Sequence, residues 1–464
     1  MSGVLQVFNP YDRGLFTTLE AVAEAEAFAA LERAYALYRD RSRHIRPHER
    51  IAVLERAAGL MRERREELIR EAVMEGGKPW ADSVVEVDRA INGFAVAVQE
   101  LATGHGEEVP MTATPAAAGR LAMTMREPRG VVMAISAFNH PVNLIVHQVV
   151  PAFAAGCPAL VKPASATPVS CRNVVRILHE AGVPEEWVQF LPCSGAVAEK
   201  LVADERVAFL SFIGSARVGW MLRSRLAPGA TCALEHGGAA PVIVDATADL
   251  DAHVPALVKG GFYHAGQVCV SVQRIYAHAS IAGELARKMA TAAERLVVGN
   301  PLDPRTEVGP LINPGEVERV EAWVNEAREA GAQVLCGGER FSDTCYKPTV
   351  LFNPSDDVQV SQQEIFGPVV CVYSYTDRDE AIARANALPY AFQASVIAQD
   401  IDAALYAVRR LDAMAVMVND HTAFRVDWMP FGGYRRSGMG VGGIAHSMRE
   451  MSVEKLMVIK SPSL

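Results

Sequence analysis

Cys269 sits in "GFYHAGQVCVSVQR", residues 261 to 274, behind a Gly-Gln pair. Read alone, it is either a small buried hydrophobe or a thiolate placed to attack an electrophile. Glu235 stands in "LEHGG" beside two glycines, where it could be a loop charge or a general base whose pKa is set by partial burial. Asn139 follows an apolar run in "AISAFNHP", where its amide could donate to a developing oxyanion or sit in a turn before proline. Lys162 in "LVKPAS" could meet ribose hydroxyls or a phosphate, or be a surface lysine. In "SFIGSARVG", Gly214-Ser215 opens a helix whose free N–H groups suit a pyrophosphate, though a serine N-cap is sufficient reason for the pattern. In "QQEIFGPVV", Glu364 could accept two ribose hydroxyls and Phe366 could flank a flat ring, or the pair is an exposed charge beside a core aromatic.

The elements that must hold these residues follow from the pattern of apolar runs. Residues 17–40 and 49–75 carry apolar residues at three- and four-residue spacing and predict two long helices, stopped by Gly76-Gly77 and Pro79. From residue 129 onward, short β-rich runs at 130–136, 158–163, 188–193 and 207–215 alternate with helical stretches. That alternation predicts a parallel sheet covered on both faces, with ligands outside the carboxyl ends of its strands. Asn139, Lys162, Ser165 and Gly214-Ser215 all follow such strands. A second α/β block runs from about 232 to 436, with a helix at 315–330 ended by Gly331. The tail "EKLMVIKS" reads as a terminal strand, and no repeat or low-complexity tract appears.

Bulk properties exclude several classes. The 464 residues exceed one hydrophobic core, so two or more domains are expected. A net charge of -9 offers no basic footprint for nucleic acid or anionic lipid. The apolar stretch 144–161 is broken by His147, Gln148, two prolines and a glycine, so it reads as a buried helix and strand rather than a membrane span. "MSGVLQVFNPYDRG" shows no signal-peptide pattern. Eight scattered cysteines without a Cys-x-x-Cys pair predict reduced thiols, a cytoplasmic location and no metal.

Taken together these motifs closely resemble the aldehyde dehydrogenase superfamily, from "VFNPYD" to the last strand. Asn139, Lys162, Gly214-Ser215, Glu235 with Gly237-Gly238, Gly266-Gln267-Val268-Cys269, Glu364-Ile-Phe-Gly-Pro and "MPFGGYRRSG" (429–438) keep the family's order, and the 34-residue separation of Glu235 and Cys269 is the family's. The resemblance implies an α/β fold in three parts: a Rossmann-like doubly wound dinucleotide-binding domain (1–106 and 127–234), an α/β catalytic domain (235–436), and a small β flap for oligomerisation (107–126 and 448–461). A homodimer or homotetramer is expected.

It also implies a mechanism. Cys269 attacks the aldehyde, the Asn139 amide and the Cys269 N–H hold the oxyanion, hydride passes to NAD or NADP, and Glu235 activates water to hydrolyse the thioester. Cofactor contacts would come from Ile135, Ser136, Lys162, Ser165, Gly214, Ser215, Gly219, His236, Glu364 and Phe366. The substrate tunnel would be lined by Phe138, Val268, Val270, Arg425 and Phe431. Three departures stand out: Ser165 where many NAD-specific members carry Glu, His236 where the family usually has Leu, and Phe138 where many have Trp. Arg425, six residues before the Phe of "PFGG", stands where an aromatic is common in members that take apolar aldehydes. It predicts an acid-bearing aldehyde, or else an arginine paired with Asp420 or Asp427. A CoA-acylating relative should lack the base, and a non-catalytic structural relative should lack Cys269, Glu235 or Asn139; all three are present.

Overall fold

The computed structural model describes residues 3–464; Met1 and Ser2 of the expected first domain lie outside them. The strands expected between 130 and 215 form at Val131–Ile135, Ala159–Lys162, Val188–Phe190 and Val207–Ile213, joined by Thr231–Glu235. All five run parallel, and Gly438–Met439 adds an antiparallel edge beside Thr231–Glu235. Val131–Ile135 is buried at every position, because helices cover both faces. In space the order is 438–439, 231–235, 207–213, 131–135, 159–162, 188–190. The chain moves outward from Val131–Ile135 on one side, then returns to build the other. The reversal lies between Val131–Ile135 and Val207–Ile213, and the crevice beyond their carboxyl ends is where such a sheet binds ligands.

A second sheet has seven strands in the order 333–336, 349–352, 369–375, 274–278, 241–244, 393–397, 415–418, with one antiparallel pair at the 333–336 edge. Its core of Val, Ile, Ala and Tyr side chains is separate from those under the first sheet. A third sheet of three antiparallel strands (Glu108–Val109, Arg120–Pro128, Ser452–Lys460) stands apart from both.

The N-terminal helices differ from the sequence expectation. Leu15–Glu20 pairs with Val4–Phe8 as a hairpin, so the first helix starts only at Glu24. The second breaks at Arg64, giving Pro47–Glu63 and Arg65–Gly76. Gly77, at φ +68, ends it as expected, because a side chain there would meet Pro310 and Pro10. A further helix, Trp80–Thr103, then lies across Asn143–Ala155. No described helix is long and apolar enough to cross a membrane.

Candidate active site

A cavity of about 520 Å³ opens between the two large sheets. One wall is the residues that follow strands of the first sheet: Ser136 to His140, Ile213 to Ser215, and Glu235 to Gly237. The opposite wall comes from loops that precede strands of the second: Val268 to Val270 before Arg274–His278, and Glu364 and Phe366 before Val369–Tyr375. The carboxyl-end rule therefore locates half of the site. The other half is delivered at the amino ends of a second sheet.

Cys269 keeps a small accessible face, and that face opens into the cavity. Its loop leaves the helix Leu250–Phe262 through His264, Ala265 and Gly266, all at positive φ (48°, 53° and 68°). Left-handed backbone at two non-glycine residues costs about 1–2 kcal/mol each, so the surroundings must hold it. Gln267 does. Its Nε2 donates to the carbonyls of His264 (3.2 Å) and Pro310 (3.1 Å), its Oε1 accepts from Ile312 N–H at 2.9 Å, and its carbonyl accepts from the Asn139 amide at 3.0 Å. Gly266 is required, since a Cβ there would fall 2.1 Å from the Gly367 carbonyl oxygen. The Gly-Gln pair is thus the fastening of the Cys269 loop, a role sequence reading left blank.

Asn139 is buried and spends one amide hydrogen on Gln267, which fixes its orientation; the other stays available. Its turn is anchored from behind. The Glu86 carboxylate accepts the backbone N–H groups of Val142 (2.8 Å) and Asn143 (3.0 Å) and pairs with fully buried Lys78, whose Nζ also lies 2.7 Å from His140 Nδ1. A carboxylate at a helix N-terminus satisfies otherwise orphaned donors.

Glu235 ends its strand facing the cavity, where burial pushes its carboxyl up to about 7 and Arg425 opposes the rise. Gly442 leaves the space its carboxylate occupies. Glu364 accepts from Gly238 N–H at 3.3 Å and is pushed up to about 8, again by burial. The Cys269 thiol rises above its ordinary range, first through burial and then through the nearby Glu364 and Glu235 carboxylates. It is therefore a thiol at neutral pH until a base accepts its proton.

The cavity has two ends. At one, Ser215 is the N-cap of the helix Ala216–Arg223, without a side-chain capping bond. Ser136 Oγ, His236 Nε2 and Arg319 Nη1 lie in this wall, buried and without a partner among the described residues. Such orphans suit a ligand rich in hydroxyls and phosphates, so the residues fit a dinucleotide. His236 is held by Arg436, whose carbonyl lies 2.9 Å from Nδ1, and is flanked edge-on by Phe212 and Trp220. Gly219 makes room for it: a Cβ there would fall 1.9 Å from Nε2. Arg319 stacks on Trp323 at 4.6 Å and was missed from sequence, being an ordinary arginine on an amphipathic helix. Ile135, Lys162, Ser165 and Gly219 lie off the cavity wall. Lys162 Nζ donates to the Pro163 carbonyl at 3.0 Å, and Ser165 is exposed three residues on, beyond wall residue Ala164.

At the other end Phe138, Val268, Val270, Arg425 and Phe431 share the wall with Arg89, His147 and Tyr263. The Arg425 guanidinium lies 3.4 Å from the Phe431 ring centre. It makes no ion pair among the described residues, its Nη1 has no partner, and its Nη2 lies 3.4 Å from His147 Nδ1. The expected alternative, a pair with Asp420 or Asp427, does not form, because Asp427 is taken by Arg89 and His147, each at 2.8 Å. Arg89, His147 and Asp427 come from distant helices and loops, so no local motif announced them. All eight cysteines are free, and no described group of His, Cys, Asp and Glu is arranged to hold a metal.

Comparison with known proteins accords with this geometry. The model of the aldehyde dehydrogenase family matches residues 2–457. A 3-sulfolactaldehyde dehydrogenase of Priestia aryabhattai is 40% identical over 89% of this chain and 86% of its own. Aldehyde dehydrogenase 21 of Physcomitrella patens, solved with the reaction product succinate, is 34% identical with a TM-score of 0.95, covering 99% of this chain and 95% of that one. Glyceraldehyde-3-phosphate dehydrogenase of Methanocaldococcus jannaschii, solved with NADP, is 35% identical with a TM-score of 0.94, covering 98% and 99%. With residues 2–457 matched, and thiol, carboxylate and amide facing one cavity, the chain belongs to the aldehyde dehydrogenase family.

Proposed function

We propose that this protein oxidises an aldehyde bearing an anionic group to the carboxylic acid, with NAD or NADP, through a covalent thioester on Cys269. The observation that carries the anionic reading is Arg425, a cation in the cavity wall that makes no ion pair among the described residues. Ser136, Ser215, His236, Arg319 and Glu364 would hold the dinucleotide, which would supply the hydride acceptor.

The remaining steps belong to the chain. Glu235, with its carboxyl near 7, accepts the Cys269 proton. The thiolate adds to the aldehyde carbon, and the oxyanion is met by the free Asn139 amide hydrogen and the Cys269 N–H. Once the hydride has left, the carbon remains bonded to sulfur as a thioester. Glu235, its first proton released to solvent, then takes a proton from water, whose oxygen attacks that carbon; the carbon–sulfur bond breaks, the acid departs, and Glu235 returns that proton to sulfur so that the thiol re-forms. Retention of Glu235 favours hydrolysis over transfer to CoA.

At the position where many NAD-specific family members carry a glutamate, which would repel a 2′-phosphate, Ser165 offers an exposed hydroxyl, and this supports use of NADP. Strand Ser452–Lys460 exposes Leu456, Val458 and Ile459, which supports burial of this sheet against a second copy. The free cysteines accord with a reducing cytoplasm.

The test is a panel of aldehydes of equal length, neutral and acid-bearing, assayed with each dinucleotide in the native protein and in Arg425→Met. The acid-bearing members should have the higher kcat/KM, and the variant should raise their KM about tenfold, the loss of one charge-assisted bond. Equal turnover of neutral and anionic members, unaltered by the variant, would refute the anionic reading.

A further inference from the structure

Two histidines of the cavity wall, His140 and His147, are held alike and finished differently. Each turns Nδ1 toward a cation: Arg425 Nη2 lies 3.4 Å from Nδ1 of His147, and Lys78 Nζ lies 2.7 Å from Nδ1 of His140. Guanidinium and ammonium groups only donate, so both Nδ1 atoms accept. Burial is the main reason that both imidazoles are neutral, and it prevails in His147 over the pull of Asp427. A neutral imidazole keeps one proton, and in both rings it is on Nε2. His147 spends that N–H on Asp427, 2.8 Å away. The Nε2–H of His140 has no partner among the described residues.

The tautomer of His140 is secured from behind. Lys78 pairs with Glu86, whose Oε1 accepts the N–H groups of Val142 and Asn143 at the start of the helix Asn143–Ala155, a setting that favours the carboxylate. Burial opposes the Lys78 ammonium and Glu86 supports it. Turning the His140 ring over would set a C–H against that ammonium, so the orientation is fixed. The ring of His264 lies 6.3 Å away between centres, and both of its nitrogens are sealed and partnerless, so it does not take the proton. His140 Nε2 is not sealed. The side chain keeps 15% of its surface, and it borders the cavity. The carboxylate in the same wall, Glu235, makes no bond to it. The cations that act on the ring besides Lys78 are Arg89 and Arg425, which places it toward their end.

We infer that His140 is a specificity-determining residue: its Nε2–H donates to an oxygen of the aldehyde beyond the reacting carbonyl, either a hydroxyl on the chain or an oxygen of the tail, the end farthest from the carbonyl. In the mechanism above, Asn139 serves the carbonyl oxygen; the next residue in the chain serves the next oxygen of the substrate. An aldehyde without such an oxygen leaves a donor unpaired in a dry wall, and a site built to bond an oxygen discriminates against the analogue that lacks it. The donor is neutral, so this preference holds whatever the charge of the tail and stands apart from the anionic reading. Lys78 and Glu86 are positioning residues, since they fix which nitrogen carries the proton.

The experiment compares kcat and KM for four aldehydes of equal chain length: unsubstituted, carrying a hydroxyl next to the carbonyl, ending in a carboxylate, and carrying both. His140→Asn keeps an acceptor for Lys78 and removes the Nε2–H, whereas His140→Gln puts an amide N–H near its place. The first should raise KM about fivefold to tenfold for members bearing the oxygen that His140 meets, and less than about twofold for the unsubstituted member; the second should stay closer to the native values. A rise confined to the two hydroxylated members identifies the hydroxyl, and one confined to the two carboxylates identifies the tail. His140→Ser, small enough for a water to reach Lys78, takes the place of His140→Asn if that variant does not fold. KM values unchanged for all four members overturn the proposal, because the N–H then meets no substrate. An equal loss for all four, the unsubstituted one included, overturns it too, because His140 then only supports the Asn139 turn. Neither result touches the anionic reading, which Arg425→Met tests through the charge of the tail.

Discussion

The Cys269 loop and the Arg425 end face the same cavity, yet they are held in opposite ways. Neutral hydrogen bonds fasten the first: three from the side chain of Gln267, and one from Asn139 to its carbonyl, all between 2.9 and 3.2 Å. A charge network holds the second, with Arg89, Asp427 and His147 drawn from distant parts of the chain. Neutral bonds in a dry wall keep one geometry whatever the pH or salt, which suits an attacking atom that must be within bonding distance of a carbon. In the proposed reading, the charges of the chamber wall meet the far end of the aldehyde.

Breaking the first region should cost most. Cys269→Ala should lower aldehyde oxidation by about a thousandfold or more while the dinucleotide still binds, since no other cysteine lines the cavity; a steady-state assay with a binding titration checks both halves. Gln267→Leu comes next. It strands Ile312 N–H and two carbonyls, and should cost about 3 kcal/mol of stability by denaturant melt together with a fall in kcat for every aldehyde alike. A Gln267 variant that altered only the preference among tails would erase the contrast drawn here. The smallest effect is expected at the opposite end of the cofactor cleft. Ser165→Glu should lower kcat/KM for NADP about tenfold and leave NAD little changed, read as the ratio of the two.

The fold was largely legible in the sequence where strands are buried on both faces, because Val131–Ile135 and residues 159–161 are unbroken apolar runs bounded by turn residues. The hairpin at Val4–Glu20 was not: Thr17, Thr18 and Leu19 merge with the helical pattern that follows, and only pairing with Val4–Phe8 makes them a strand. The break at Arg64 carries no glycine or proline to announce it. In the site, Cys269, Glu235 and Asn139 could be singled out because each lies in a short motif that resembles the family's, and Arg425 by its distance from "PFGG". Arg89, His147, Arg319 and Asp427's hub role were invisible, since a polar residue on a helix or loop acquires its meaning only from what tertiary packing puts opposite it. Gln267 was quoted and left without a task for the same reason: its partners at 310 and 312 are more than forty residues away.

The central claim is that Glu235 resolves a covalent bond made by Cys269. Burial places the Glu235 carboxyl near 7, so it becomes a better base as pH rises through 7, and turnover in the native protein should climb over that range. Glu235→Gln removes the base at every pH. Mixed with an acid-bearing aldehyde and the dinucleotide, this variant should release a rapid burst of reduced cofactor, about one per site, and then nearly stop. Mass spectrometry of the intact chain and of the peptide containing residues 261–274 should then show one acyl group on Cys269. An unmodified Cys269 after such a burst, or an acyl group on another residue, would contradict the account.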